Sequence, residues 1–369
     1  MINRLIDKWV DHLSFPLYPD DNKATVKLSQ SQKGALNLFK EKIKKREGYR
    51  LVSNPCLCSS SKNDVVISEK DRYGIAVKNV LCMTCGLIRS DKVLDLDSTT
   101  LFYKEIYRDL YDPNFNPSQL FKGQVAKGDY IKSRLKKEGV LNQIETVVDI
   151  GCATGGTLYP FYQIGKSVLG LDYDQRYMLV GQDKGMSLIS KEFHELEYES
   201  VDLLILNHVF EHFVDPIPKL ITMINKLKDT KYLFMEVPGI FWIDKMYYAP
   251  IKYFQNAHIY NFYNYFLVSL FRQIGMTVLY SNERCQILVQ KPNGWRMPTS
   301  FQWTDPQGKD YAQKIQCYLK ACYVKDKLFL YKDDNIARLK RPFGILLEQL
   351  KLKEMVKQCL GMKDYQWLG

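Results

Sequence analysis

The stretch that decides the fold is residues 147–156, with the sequence VVDIGCATGG. It begins as a short apolar run, which predicts a buried strand, and it continues into a glycine-rich turn ahead of a predicted helix. Glycine lets a backbone turn sharply and approach a ligand closely. Asp149, at the end of the strand, can accept hydrogen bonds from turn amides or interact with an ammonium group. The segment therefore predicts a ligand-binding turn at the end of a buried strand.

The flanking sequence repeats this strand pattern. Apolar runs rich in Val, Ile and Leu recur at 166–171, 201–206 and 232–237, separated by stretches long enough for helices. Such runs are typical of parallel strands covered on both faces. Two further runs, 276–280 and 285–290, are joined by a tight turn and predict a hairpin. We therefore expect an α/β fold with a mostly parallel sheet and one antiparallel strand.

The chemistry around the turn indicates which cofactor it binds. Asp172 ends the second strand, twenty-one residues after Gly151, where a carboxylate can accept hydrogen bonds from ribose hydroxyls. Dinucleotides and S-adenosylmethionine both fit this geometry. Ala153 replaces the middle glycine of the dinucleotide fingerprint, and Asp149 would repel a pyrophosphate but attract a methionine ammonium. The residues favour S-adenosylmethionine, with a dinucleotide or a turn without a ligand as the alternatives.

Residues 141–292 resemble class I S-adenosylmethionine-dependent methyltransferases. Besides the turn and Asp172, the segment 202–213, DLLILNHVFEHF, is similar to the family's fourth strand and to the loop that flanks the methionine end of the cofactor. The resemblance implies a Rossmann-like seven-stranded sheet whose last strand is reversed, with Asn207 or His208 near the sulfonium. The predicted cofactor-binding residues are Asp149, Gly151, Cys152, Ala153, Gly155, Asp172, Tyr173, Asn207 and His208.

Four of the nine cysteines lie within thirty residues and form two close pairs, Cys56 with Cys58 and Cys82 with Cys85. A tetrathiolate zinc site needs two such pairs, because each folds its sulfurs to one side of a tight turn. With all four positions filled by protein, the zinc would be structural. Four buried, reduced cysteines are the alternative.

The cysteine segment restricts the resemblance to one branch of the family. Residues 71–74, the second cysteine pair and the tyrosines near 102–111 are similar to a branch with an N-terminal four-cysteine zinc domain. That branch includes sugar methyltransferases of surface-polysaccharide and natural-product pathways, which act on nucleotide-linked deoxysugars. Tyr103, Tyr107 and Tyr111 share one helical face, which lines a substrate cleft or packs in the core. Tyr107 and Tyr111 are candidate catalytic residues.

Methyl transfer to a neutral hydroxyl or an α-carbon needs a base, and histidine is the natural one near neutral pH. Of the five histidines, His258 is the best candidate because it follows the fifth strand and its loop, where ligands bind in open α/β sheets. The C-methyltransferases of the branch place a glutamate before this histidine, whereas this chain has Ala257. O- or N-methylation is then at least as well supported as C-methylation. Alternatively, His258 orients the cofactor loop or caps a helix.

Composition restricts the function classes. The chain has 369 residues, 46% hydrophobic and 25% charged, and no run of 18 apolar residues, which predicts a globular protein without a membrane span. The N-terminus lacks a signal peptide, so we expect a cytoplasmic protein. A net charge of +11 favours anionic partners without choosing among nucleic acids, phosphorylated metabolites and membrane surfaces. The resemblance implies that the substrate is a sugar-nucleotide or glycan. The sequence contains neither the motif of exocyclic-amine methyltransferases nor a dense basic stripe, and either feature would indicate a nucleic-acid substrate. An RNA or other small-molecule methyltransferase and a non-catalytic zinc or nucleic-acid scaffold remain alternatives.

The sequence divides into five predicted parts. The C-terminal stretch 338–361 mixes apolar and basic residues, which indicates either contact with an anionic membrane or a helix packed on its own domain or on a second subunit. The oligomeric state stays open. The parts are a helical segment (1–50), a zinc-binding module (51–95), a helical connector that contributes to the substrate cleft (96–140), the Rossmann-like cofactor domain (141–295) and a helical C-terminal extension (296–369).

Overall fold

The structure is a computed structural model that describes residues 13–60, 63–191, 193–195, 201–247, 249–296 and 307–333. The predicted helix Ile2–Leu13 lies outside the described residues except for its last position, and the stretch 338–361 lies outside them entirely. Across the described ranges, the helices are all too short or too polar to cross a bilayer.

The N-terminal part of the chain forms one helix and five short strands. The helix begins at Ser29, where the side chains of Ser29 and Gln32 each accept a hydrogen bond from the other's backbone N–H, a capping box. Strands β1 and β5 pair with each other, and β2, β3 and β4 form an antiparallel sheet. The elements are α1 (Gln30–Lys45), β1 (Leu51–Ser53), β2 (Asp64–Lys70), β3 (Ala76–Cys82), β4 (Ile88–Ser90) and β5 (Lys92–Leu94).

The connector is helical, but it is not the single α-helix that the sequence predicts over 99–111. A π-helical turn, Tyr103–Tyr107, separates two short α-helices. Such turns are rare and occur often at functional sites. A long helix follows after a break at Pro113 and Asn116. The α-helices are α2 (Leu96–Phe102), α3 (Arg108–Tyr111) and α4 (Pro117–Lys137).

A mixed seven-stranded sheet carries the rest of the fold, in the spatial order β12-β13-β10-β9-β6-β7-β8. Strands β6 to β10 are parallel, and β13 is antiparallel to both neighbours, which confirms the predicted α/β fold with a reversed last strand. The elements are β6 (Thr146–Ile150), α5 (Tyr159–Tyr162), β7 (Ser167–Leu171), α6 (Gln175–Gln182), β8 (Ser187–Ile189), β9 (Val201–Asn207), α7 (Pro216–Lys226), β10 (Leu227–Glu236), α8 (Ile243–Met246), α9 (Pro250–Tyr253), β11 (Tyr260–Asn261), α10 (Asn264–Gln273), β12 (Thr277–Ser281), β13 (Gln286–Gln290) and α11 (Gly308–Asp333).

The small N-terminal sheet takes its fourth strand from the second half of the chain. Strand β11 pairs antiparallel with β4, with Tyr260 opposite Arg89 and Asn261 opposite Ile88. The Ser90 N–H also donates to the Ile259 carbonyl over 2.9 Å. The segments 51–95 and 141–295, which the sequence divides into two domains, therefore share one sheet.

Helix α4 lies against the glycine-rich turn with no side chain between them. A Cβ added to Gly128 would lie 2.3 Å from the Thr157 carbonyl oxygen, and one added to Gly156 would lie 2.5 Å from the Phe121 carbonyl oxygen. Both distances are too short for real Cβ atoms, so the helix and the turn approach each other through these two glycines. The turn is consequently fixed by α4 as well as by the sheet.

This contact predicts opposite effects for the same substitution at two positions of α4. Gly128→Ala should lower the free energy of unfolding by about 1–3 kcal/mol, because the added methyl group overpacks the contact with Thr157. Gly123→Ala, where nothing lies within 4 Å of the added Cβ, should raise it by about 0.5–1 kcal/mol through helix propensity. Urea unfolding of both variants measures the difference. Equal effects would contradict the close approach.

Candidate active site

The glycine-rich turn after β6 has the backbone conformation that its sequence predicts. Gly151 and Gly155 have φ values of +72° and +74°, and Ala153 has +45° despite its Cβ. The N–H of Gly151 and that of Cys152 both donate to the Leu171 carbonyl, over 2.8 and 3.0 Å. Such a left-handed conformation is costly for alanine and is held only where the surroundings impose it. The turn is thus a rigid, strained loop at the carboxyl end of β6.

Two further elements surround this turn. A Cβ on Gly151 would lie 2.5 Å from Val209 Cγ2, so the loop after β9 touches the turn directly. From the β7 side, one Asp172 carboxylate oxygen accepts from the Ala153 N–H over 2.9 Å, and the other accepts from the Asp174 N–H over 2.9 Å. Arg108 reaches the same region, 3.7 Å from Asp172. The neighbouring Tyr173 side chain is 70% exposed.

Asp149 is a buried carboxylate that lacks a hydrogen bond on one oxygen. It is 1% exposed, and its Oδ1 has no hydrogen-bond partner among the described residues. Burial, and then the negative charge of Asp172, hold the pKa of Asp149 well above its usual range. The Oδ1 atom of Asn207 at the end of β9 is buried and unpaired in the same way. A ligand ammonium here would supply the missing donors, so these residues fit the methionine end of S-adenosylmethionine.

Sequence reasoning missed Gln124, which ties the turn to α4. Its amide nitrogen donates to the Cys152 carbonyl over 3.0 Å, and its amide oxygen accepts from the Thr154 hydroxyl and from the Gly156 N–H. Buried Cys152 therefore contributes its backbone, and burial raises the pKa of its thiol well above the usual range. The one available signal was a polar residue on the inward face of a predicted helix.

His208 begins the loop after β9, and it also has a left-handed backbone, with φ of +57°. Its Nδ1 lies 3.4 Å from Glu211 and its Nε2 lies 3.7 Å from Glu236. Burial acts to lower the pKa of His208, but the two carboxylates outweigh it and raise the pKa to about 9. The side chain is 46% exposed, so it presents a positive charge to solvent.

A cavity of about 110 Å³ opens beside this histidine. We call it the His208 pocket, and its polar and aromatic lining is Lys127, His208, Glu236, Trp242, Tyr247 and Arg284. Burial acts to raise the pKa of Glu236, but His208 and Lys127 lower it to about 2, and the Lys127 ammonium lies 2.5 Å from the carboxylate. The pocket therefore offers three cationic side chains and one ionised carboxylate. The sequence had identified His208 alone among these residues.

Glu211 lies beneath the pocket, surrounded by histidines. Its Oε1 is 3.9 Å from Nε2 of His212 and 3.9 Å from Nε2 of His258. Glu211 is 1% exposed, and neither carboxylate oxygen has a hydrogen-bond partner within the described part of the chain. His258 is 6% exposed, and burial holds its pKa well below the usual range, so its imidazole is neutral. We call Glu211, His212 and His258 the histidine cluster.

The three predicted tyrosines form a half-buried column against this cluster. Ring centroids are 4.7 Å apart between Tyr103 and Tyr107 and 4.8 Å apart between Tyr107 and Tyr111. The Tyr103 hydroxyl is 2.9 Å from His212 Nδ1, and the Tyr111 hydroxyl accepts from the Ala257 N–H over 3.3 Å. Burial raises the pKa of Tyr107 to about 12. The column thus contacts both the core and the site.

The four predicted cysteines lie together in space. The Sγ atoms of Cys56 and Cys85 are 3.4 Å apart, and those of Cys58 and Cys82 are 3.6 Å apart. All four Sγ atoms lie within 4.8 Å of one another. Four sulfurs at tetrahedral positions about 2.3 Å from a zinc ion would be separated by about 3.8 Å. The donor set therefore fits a tetrathiolate zinc ion.

Comparison with known proteins identifies the domain. Residues 119–281 match the family model described as a methyltransferase domain, and no curated protein matches the chain. A SAM-dependent methyltransferase from Methanosarcina mazei is 17% identical, with a TM-score of 0.33, over 40% of this chain and 92% of that one. One from Archaeoglobus fulgidus is 17% identical (TM-score 0.35; 44% and 94% covered). The N-methyltransferase NodS from Bradyrhizobium japonicum is 13% identical (TM-score 0.34; 46% and 98%). The match to a methyltransferase domain confirms the prediction of a methyltransferase.

The hydrogen bonds of Gln124 predict a selective loss of cofactor affinity. Gln124→Ala should raise the Kd for S-adenosylmethionine about tenfold, because the turn loses the three hydrogen bonds that tie it to α4, each contributing about 0.5–1.5 kcal/mol. Gln119→Ala, at an exposed position of the same helix, should leave the Kd unchanged. Isothermal titration calorimetry measures both values. An unchanged Kd for Gln124→Ala would show that the turn holds its conformation without α4.

Proposed function

We propose that this chain, an S-adenosylmethionine-dependent methyltransferase, methylates the sugar of an anionic acceptor such as a nucleotide-linked sugar. The observation that carries the proposal is the His208 pocket, which combines cationic and aromatic side chains at the carboxyl end of the sheet. Ligands of open α/β sheets bind at this edge. The pocket and the glycine-rich turn share the loop after β9, so an acceptor and the cofactor would meet there.

The charge of the pocket supports an anionic acceptor. Arg284 is 41% exposed and lies 3.7 Å from Glu236, and Lys127 and His208 contact the same carboxylate. With Glu211 3.4 Å from His208, two carboxylates face three cations, so positive charge remains for a phosphate or carboxylate group. Arginine in particular binds such groups with two parallel hydrogen bonds. The net charge of +11 acts in the same direction at longer range.

The aromatic side of the pocket supports a sugar ring. Trp242 and Tyr247 line the same cavity as the charged residues, and the Arg284 guanidinium lies 5.9 Å from the Trp242 ring. Aromatic side chains of this kind offer a flat apolar face with a polar edge. A sugar ring has a matching apolar face of carbon–hydrogen groups and polar hydroxyls around it. A sugar attached to an anionic group would therefore use both halves of the pocket.

The histidine cluster is the proposed acceptor of the proton that the sugar gives up, with His258 as the candidate base. S-adenosylmethionine, when bound, supplies the methyl carbon: the acceptor atom bonds to it, the carbon–sulfur bond breaks, sulfur keeps the electron pair, and the acceptor loses a proton. Glu211 stands beside His258, 3.9 Å away, where position 257 lacks a carboxylate. The pair supports proton removal from a hydroxyl or from an adjacent carbon, and Tyr107 and Tyr111 flank it as candidate catalytic residues.

The four cysteines are proposed to bind structural zinc. They lie at the end of β3, in the turn between β3 and β4 and in the loop after β1, beside the sheet that β11 completes. Because β11 follows His258 by two residues, a zinc ion that rigidifies this sheet would also fix the position of the histidine. Structural zinc contributes about 10–16 kcal/mol of apparent binding free energy in small peptides, which would stabilise a module built from short strands.

Elemental analysis tests the zinc proposal. The full-length protein should contain one zinc ion per chain, and Cys58→Ser should lose it and unfold at a lower temperature, because the site then has three thiolates. Cys317→Ser is the matched control, since Cys317 is exposed on α11 and lies outside the cysteine cluster. It should keep the metal and the melting temperature. A zinc-free wild-type protein with all four thiols titratable would contradict the proposal.

A panel of acceptors with labelled cofactor tests the sugar proposal. We expect methylated product, detected by mass spectrometry, from a nucleotide-linked sugar. Arg284→Gln should raise KM for the charged acceptor about tenfold, equivalent to about 1.4 kcal/mol, and change KM for the free sugar little. Arg272→Gln, at an exposed position of α10, should change neither.

Two outcomes would contradict the proposed acceptor. One is methylation of RNA with no product from any sugar in the panel. The other is an equal effect of Arg284→Gln on charged and uncharged acceptors, which would show that the pocket does not recognise an anion.

A further inference from the structure

We propose that the histidine cluster binds a divalent cation through Glu211, His212 and His258, and that this cation binds the hydroxyl oxygen of the acceptor. The inference deepens the proposed function and rests on it for the identity of the acceptor. It assigns to the chain a second kind of metal site, built from nitrogen and oxygen ligands and separate from the four cysteines.

The positions of the donor atoms support a cation site. One donor atom from each of the three residues lies within 4.8 Å of the other two. Glu211 Oε1 is 3.9 Å from the nearest nitrogen of each histidine. Ligands about 2.0–2.2 Å from a common metal ion are separated by roughly 3–4 Å. Side-chain movements of roughly an ångström would therefore bring all three atoms to bonding distance.

Burial without hydrogen bonds supports it independently. Both carboxylate oxygens of Glu211 are buried and have no hydrogen-bond partner among the residues that the structure describes, whereas Nε2 of His258, the nitrogen nearest to Glu211, also contacts the Gln255 amide nitrogen. Burial of an ionised carboxylate costs a great deal of free energy unless the charge is paired or binds a metal. His208 supplies one positive charge 3.4 Å from Oε1 of Glu211, and a divalent cation between Glu211 and the two imidazoles would provide further compensation for the carboxylate.

The surrounding structure holds the ligands in place, as metal sites require. The Tyr103 hydroxyl at 2.9 Å from His212 Nδ1 orients that ring so that its Nε2 faces Glu211. Histidine ligands of metals usually have such a partner on the second ring nitrogen. The Ile259 N–H donates to the Glu211 carbonyl over 2.9 Å and joins the two segments that carry the ligands. The π-helical turn is what places Tyr103 at this site.

The ligand set also leaves room for an acceptor. Two histidines and one carboxylate leave coordination positions open, which is the arrangement of catalytic rather than structural metal sites. With the cation bound, His258 would act as a ligand instead of as the base: the cation would lower the pKa of a bound hydroxyl, whose proton would pass to water while the oxygen keeps the electron pair. His208, 3.4 Å from Glu211 and half exposed, marks the side on which the cluster meets the pocket. Neighbouring hydroxyls of a sugar could occupy two open positions.

Manganese binding tests the proposal without an acceptor. The probe is Mn²⁺, added to protein that carries one zinc ion per chain and from which unbound zinc has been removed, because nitrogen and oxygen ligands bind zinc more tightly than manganese. Loss of the free Mn²⁺ signal in electron paramagnetic resonance counts the bound ions. We expect one Mn²⁺ per wild-type chain and a melting temperature that rises with Mn²⁺ concentration.

Matched variants locate the site. Glu211→Gln removes the charge with little change of shape and should abolish both effects, and His258→Asn provides a second test if the first variant does not fold. Glu145→Gln is the control, because Glu145 is 70% exposed and directly precedes β6 at the opposite edge of the sheet. It should bind Mn²⁺ as the wild type does.

The proposal is overturned if the wild-type protein binds no Mn²⁺, or if Glu211→Gln binds it equally well. In the first case His258 acts without a metal, and the sugar proposal is unaffected. Conversely, one Mn²⁺ per chain together with no sugar product would contradict the acceptor and leave the cation site in place. Titration with S-adenosylmethionine under the same conditions shows that each variant is folded.

Discussion

The antiparallel pairing of β4 with β11 is the interaction on which the arrangement of the site depends. It joins the cysteine-bearing sheet to the segment that carries His258, three residues before Asn261. A second backbone bond, from the Ile259 N–H to the Glu211 carbonyl, joins that segment to the loop after β9. Two backbone constraints thus fix a buried carboxylate against a buried imidazole. The small N-terminal sheet is therefore part of the site's framework, although it contributes no strand to the seven-stranded sheet.

The cofactor turn is held in the same way, by contacts from three elements. Helix α4 supplies Gln124, β7 supplies Asp172, and the loop after β9 packs Val209 against Gly151. A turn with alanine at a positive φ needs such support, because its conformation costs free energy that local contacts do not return. Within this packed surrounding, Asp149 is buried and its Oδ1 has no hydrogen-bond partner among the described residues. The turn is therefore preorganised to place a cationic ligand group beside Asp149.

Local sequence patterns predicted those features that depend on local physics. Continuous apolar runs predicted β6, β7, β9 and the final hairpin. The glycines predicted the sharp turn, in which Gly151 and Gly155 have positive φ values. The grouping of the four cysteines followed from their spacing, although the shortest sulfur distances join Cys56 to Cys85 and Cys58 to Cys82. Strand β8 was missed because its three residues are too short to form a recognisable run. The π-helical turn was missed because tyrosines four residues apart also fit an ordinary α-helix.

Features that depend on distant segments could not be read from the chain. Glu236 and Arg284 become pocket residues only when β10 and the turn before β13 lie side by side, and their sequence neighbours show nothing unusual. The same reasoning applies to position 257. Its alanine looks like the loss of a carboxylate beside His258, yet the fold brings Glu211 to the same imidazole from forty-seven residues away. A missing residue in a linear motif therefore does not show that the chemical group is missing, because the fold can supply it from another segment.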